Sequence, residues 1–152
     1  MSRRGSIAMS DAEVSDFLLG RHVLNVATVR PSGRIDLVAM WYGFVGGDVA
    51  FWTYGKSQKI RNLLRNPNLT GLVESGESYA ELRGVQLVGR GVVVDDPEYV
   101  RAVGESVYER YTGPLTDAAR QSLSGMGAKR FAVRVDVETV VSWDHSKLGG
   151  RY

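Results

Sequence analysis

Residues 51 to 67 read FWTYGKSQKIRNLLRNP and hold the grouping of side chains best suited to chemistry. An aromatic run ends at Tyr54 and Gly55 breaks it. Ser57 is placed to cap a helix, and Ile60, Leu63 and Leu64 give that helix one apolar face. Lys56 and Lys59 fall at the helix N-terminus, where the aligned peptide dipoles already present partial positive charge and a cation costs roughly 0.3 to 1 kcal/mol. Two ammonium groups beside free backbone N–H groups are what a phosphate needs, so the stretch is read as an anion site. The competing reading is a solvated basic helix, and it covers Arg61 and Arg65, since such side chains are mostly exposed.

Other chemistries find little support. His22 and His145 are far apart and lack an HExxH or comparable spacing, so no metal site is expected. His22 follows a helix stop and reads as a capping or surface residue, whereas His145, beside Trp143 on a polar tail, reads as part of a solvated tail or, alternatively, as the edge of a site. There is no G-x-S-x-G elbow and no P-loop. The absence of cysteine removes thiolate nucleophiles, disulfides and Cys-bound zinc. No catalytic side chain is assigned. The aromatic set Trp41, Tyr42, Phe44, Phe51, Trp52 and Tyr54 has the rings to stack a nucleobase or a flat cofactor, although in strands such a set more often forms core.

The elements that position these residues follow from period and punctuation. Ser10 to Glu13 form a capping box before Val14, Phe17 and Leu18, which predicts a helix over 11–19. Turns at Pro31-Ser32-Gly33 and Gly46-Gly47-Asp48 then divide three antiparallel strands, 22–30, 34–45 and 48–54, the second bending at Gly43. Pro67 ends the basic helix, and Leu69 to Glu74 pairs with the run from Tyr79 to Val94, where glycines 84, 89 and 91 mark bulges or barrel corners. A helix over 97–112, a shorter one capped by Thr116 and a strand alternating from Phe131 to Trp143 complete the chain before the polar tail DHSKLGGRY. About six antiparallel strands with peripheral helices make a mainly β fold, a small barrel that removes its own edges.

The 152 residues are most simply one domain, with tails at 1–9 and 144–152. A hydrophobic share of 43% beside 24% charged residues suits a folded core. The net charge of +2 without a Lys/Arg run argues against a nucleic-acid or membrane partner. No apolar stretch has the length of a membrane span and MSRRGSIAMS lacks the core of a secretory signal, so a cytoplasmic protein is expected.

The order helix, meander ending in aromatics and Thr53, then K-S-Q-K-I-R-N-L-L-R-N-P, resembles the pyridoxamine 5'-phosphate oxidase-like split β-barrel superfamily from about Ser10 to Val141. The short chain and the closing S-W-D-H-S-K-L-G-G resemble its branch that uses the deazaflavin F420 instead of FMN. The resemblance implies that Lys59, with Lys56 and Ser57, holds the cofactor phosphate, that Thr53 and Tyr54 close the pocket wall, and that Val38, Ala39 and Met40 flank the flat ring. Many relatives carry arginine where this chain has Ser57, and the substrate-phosphate residues of the vitamin B6 oxidase are missing near its C-terminus. The implied function is a reductase passing a hydride from reduced F420 to an unsaturated small molecule. The alternatives are an FMN-binding relative and a non-enzymatic binder. A homodimer is implied, with Tyr79, Glu81 and Arg83, or Trp143 and His145, as candidates to complete the partner's site.

Overall fold

The structure is a computed structural model and describes residues 2 to 150. Seven strands, β1 (Leu24–Val29), β2 (Ile35–Met40), β3 (Gly43–Val45), β4 (Asp48–Tyr54), β5 (Asn68–Ser75), β6 (Arg83–Val94) and β7 (Arg130–Asp144), form one curled antiparallel sheet. Their order is β2-β1-β5-β6-β7-β4-β3. Around it lie α1 (Arg3–Ser6), α2 (Asp11–Leu19), α3 (Gln58–Arg65), α4 (Pro97–Tyr111) and α5 (Asp117–Gly127). The fold is therefore the expected mainly β split barrel, with seven strands in place of about six. Among the described residues no helix is long and apolar enough to cross a membrane.

The additional strand arises because the expected strand over 34–45 breaks at Trp41-Tyr42. Tyr42 is fully buried, its hydroxyl donates to the Leu18 carbonyl at 2.6 Å, and Arg110 Nε donates to the Tyr42 carbonyl at 2.9 Å. Trp41 faces outward and stacks on Tyr111, ring centroids 4.7 Å apart. The backbone here is held by α2 and α4 instead of by a neighbouring strand. Gly43 then runs so close to α4 that a Cβ would come within 2.5 Å of the Ser106 hydroxyl oxygen. As a result β1–β2 and β3–β4 are separate hairpins at opposite edges of the sheet, and the expected three-strand meander does not form.

The barrel interior is filled by Leu24, Val26, Phe51, Val73, Val85 and Val133, all fully buried, and burying each such side chain contributes about 1.5 to 3 kcal/mol. A second cluster forms where α4 lays Val100, Val103 and Val107 on Ala50 and Ala132. β6 and β7 slip register between Val88 and Gly89, where the Asp136 carbonyl oxygen takes the place a Cβ would fill. That bulge confirms one expected glycine role and ends the clean alternation of β7, since the residues from Val137 to Val140 are all exposed.

The outer face of β2, β1, β5, β6 and the end of β7 is left uncovered. Pairing places Leu37, Ala27, Thr70, Val88 and Thr139 in one row and Ala39, Asn25, Leu72, Gln86 and Val141 in the next. None of these is buried, and Leu37 is 68% exposed. The tail is less free than its polarity suggests. His145–Leu148 forms a short 3-10 turn, and Lys147 Nζ donates to the Ala8 carbonyl at 2.9 Å and to Glu13 at 2.7 Å. Arg151 and Tyr152, the end of the expected tail, lie outside the described residues.

Candidate functional site

β4 delivers the site. Thr53 is buried near its end, and Tyr54 is 58% exposed. The Ser57 N–H donates to the Tyr54 carbonyl at 3.0 Å, closing a tight turn through Gly55, and α3 begins immediately after it. This is the expected strand, turn and short helix. The expected apolar face of α3 differs by one position: Ile60, Asn62 and Leu63 are buried, while Leu64 points away and is 68% exposed. Leu64 is displaced because the helix packs over β1 and β6 on the stripe that includes Asn62.

Ser57 occupies the N-cap position, but its side chain makes no capping bond. Its hydroxyl oxygen is buried and has no hydrogen-bond partner among the described residues. The first N–H groups of a helix have no intrahelical acceptor, and the residue placed to satisfy them does not. One residue into the helix, Lys59 Nζ donates to Thr53 Oγ1 at 3.0 Å. Burial pushes the Lys59 ammonium below the ordinary lysine value of 10.5. A half-buried cation whose partner is neutral, beside an orphaned hydroxyl and a helix start, fits a ligand that brings negative charge. Lys56 is exposed at the rim.

The base of the site is a polar network that the motif reading passed over. Asn62, 1% exposed, accepts from Gln58 Nε2 at 2.9 Å and donates through Nδ2 to Thr28 Oγ1 at 3.0 Å and Asp36 Oδ2 at 2.7 Å. Arg30 Nε holds the other Asp36 oxygen at 2.6 Å. The hydrogen bonds from Arg30 and then Asn62 hold the Asp36 carboxyl below its ordinary value. The visible signal was Asn62 itself, a poor helix former on the buried stripe between Ile60 and Leu63. Arg65, expected with Arg61 on a solvated helix face, donates to the Val29 carbonyl at 2.6 Å.

The family model for pyridoxamine 5'-phosphate oxidase matches residues 10–144, a span that includes every element from α2 to β7. The chain belongs to the pyridoxamine 5'-phosphate oxidase family. Among solved structures it is similar to the conserved hypothetical protein Rv2991 from Mycobacterium tuberculosis, at 41% identity and TM-score 0.94, covering 100% of this chain and 95% of that one. An F420 reductase is similar at 27% identity and TM-score 0.61, covering 83% of this chain and 94% of that one. An FAD-binding protein from Mesorhizobium loti shares the fold at 16% identity and TM-score 0.67, with coverage of 89% and 94%. No curated protein matches.

Within this family member, the residues expected at the site fall into three groups. The β4–α3 turn brings Thr53, Ser57 and Lys59 to the start of α3 with Lys56 at its rim, whereas the Tyr54 ring lies on the other face of β4, 4.6 Å from the Arg130 guanidinium carbon. Val38 and Met40 lie on the face of β2 that carries Asp36 towards α3, with Ala39 on the opposite face. Trp143 and His145 are elsewhere. Tyr54 pairs with Arg130 at one end of β7, whereas Trp143 pairs with Gly84 at the other, and His145 Nδ1 sits 2.9 Å from the Tyr79 carbonyl oxygen. This chain alone does not bring them to Lys59. His22, read as a capping or surface residue, stacks on Phe17 with ring centroids 4.4 Å apart, and burial pushes its pKa down. A cleft of about 260 Å³ between α4, α5 and β7 is lined in part by Arg130 and Phe131, and Phe131 packs beside Gly55.

Proposed function

We propose that this chain binds the deazaflavin F420 with its phosphate at the start of α3, and works as a reductase on an unsaturated small molecule. The observation that carries the reading is Lys59, half-buried with a neutral partner, next to the unpartnered Ser57 hydroxyl. Lys59 and Ser57 donate to the phosphate, Thr53 orients the Lys59 ammonium, and Lys56 adds charge at the rim. Val38 and Met40 offer an apolar strand for a flat ring and keep water from it. The bound cofactor supplies the hydride chemistry, which suits a site without an assigned acid or base. The 27% identical F420 reductase supports this choice over FMN. Lys56 and Arg61 are exposed beside the phosphate position and suit an anionic tail beyond it.

The same reading takes the protein as a cytoplasmic homodimer. Its support is the uncovered outer face, whose Ile35 and Leu37 are 61% and 68% exposed, more apolar side chain than an edge strand of a monomer usually presents. A second copy across that face is the route by which Trp143 and His145 reach a site. Light scattering at micromolar concentration is expected to give twice the 16.7 kDa chain mass. The function itself is tested by titrating the purified protein with F420 and with FMN, then following oxidation of reduced F420 with activated alkenes. Tighter F420 binding with turnover is expected. Tighter FMN binding moves the chain to the flavin branch, and binding without turnover makes it a carrier.

A further inference from the structure

β2 is an edge strand paired only with β1, and most of its side chains are exposed. One polar chain ties it to α3. Asn62 reaches Asp36 on β2 and Thr28 on β1 through Nδ2, at 2.7 and 3.0 Å, and receives Gln58 from the preceding helical turn on Oδ1 at 2.9 Å. Both polar atoms of its side chain are engaged inside a residue only 1% exposed. A buried amide costs free energy unless its partners offset desolvation, and asparagine weakens a helix, so what this residue gains lies in what it joins. On one side is the helix start with Ser57 and Lys59. On the other is the strand whose Val38 and Met40 share the face of Asp36.

We infer that Asn62 is a positioning residue: its bond to Asp36 fixes the distance between the phosphate-holding helix start and the ring-flanking strand, so that both halves of one phosphorylated cofactor bind together. The inference rests on the reading of the site given above. It predicts a loss confined to ligands that span both halves. Asn62→Asp removes the donor to Asp36 and sets two carboxylates face to face, while the Gln58 amide and the Thr28 hydroxyl can still donate to it. Adding Asp36→Asn exchanges donor and acceptor and restores the bond.

The experiment measures binding of F420 and FMN, of their phosphate-free ring and ribityl portions (riboflavin for FMN), and of inorganic phosphate. For whichever intact cofactor the unmodified protein binds, Asn62→Asp is expected to weaken binding roughly tenfold to a hundredfold, the worth of one charge-assisted hydrogen bond. The portions should bind as before, and the double variant should recover the intact cofactor. If Asn62→Asp does not fold, Asp36→Ala gives the same comparison from β2, where the carboxylate is already 18% exposed. Equal loss for portions and intact cofactor, no loss at all, or failure of the double variant to recover overturns the positioning role. Binding of neither F420 nor FMN by the unmodified protein overturns the site reading and this inference with it.

Discussion

Arg110 and Lys59 are two cations in polar niches of one barrel, and they differ in how completely the protein satisfies them. Arg110 donates to the carbonyls of Tyr42, Leu18, Leu19 and Gly20, at 2.9 to 3.3 Å, and its guanidinium lies over the rings of Tyr42 and Phe44 at 4.6 and 4.8 Å. It satisfies the C-terminal carbonyls of α2 and pins the corner between β2 and β3. Lys59 has one hydroxyl partner and a desolvated ammonium. A cation whose three guanidinium nitrogens each donate to backbone holds the fold, whereas a desolvated one two residues from an orphaned hydroxyl is arranged for something the chain does not supply.

The largest effect expected from this contrast is on stability. Arg110→Ala removes the donor to the Leu19 carbonyl and to the buried Tyr42 carbonyl, and one of the donors to those of Leu18 and Gly20, and should cost about 2 to 4 kcal/mol, read from denaturant unfolding. Cofactor affinity of the folded fraction should not change. A loss of affinity without loss of stability would erase the distinction between the two niches. Tyr42 sharpens the same side: burial pushes its phenol up to about 12, so its bond to Leu18 should persist through the ordinary alkaline range, and Tyr42→Phe should cost about 1 kcal/mol.

On the other side, Ser57→Ala should weaken cofactor binding by about 0.5 to 1.5 kcal/mol and leave the ligand-free melting temperature unchanged or slightly higher, since it removes a buried hydroxyl without a partner. A lower ligand-free melting temperature would make Ser57 an ordinary cap. The smallest effect concerns pH. The carboxyl of Asp36 is held low in the folded state, so its contribution is present above the ordinary value of 3.8 and is lost as pH falls through its lower folded value. Asp36→Asn should flatten acid unfolding in that window, and an unchanged acid profile would mean that the Arg30 and Asn62 bonds count for little.

What was legible in the sequence was local. The capping box of Ser10 and Glu13 brackets α2 at Asp11–Leu19 because both partners lie within one turn. The strand, turn and helix around Lys59 were legible for the same reason. The run from 34 to 45 signals a bend only at Gly43; the full break at Trp41-Tyr42 was not legible, because its cause is Arg110, far along the chain. Leu64 was misassigned because an apolar stripe counted by residue type passes over a buried asparagine, which only its partners on β1 and β2 explain. Trp143 and His145 lie at the far end of β7 within a single chain, and no local pattern in the sequence carries that distance from Lys59.

The most direct test of the central claim is Lys59→Ala, followed by both cofactor titration and ligand-free thermal unfolding. Burial lowers the Lys59 pKa, so the folded, ligand-free protein disfavours its proton and gains stability as pH rises towards 10.5; removing the ammonium should leave the melting temperature equal or higher at neutral pH. The titration should show cofactor affinity weaker by roughly 1.5 to 3 kcal/mol. Unchanged affinity, or a collapsed melting temperature without ligand, would contradict the account and place Lys59 with Arg110 as a residue that holds the fold.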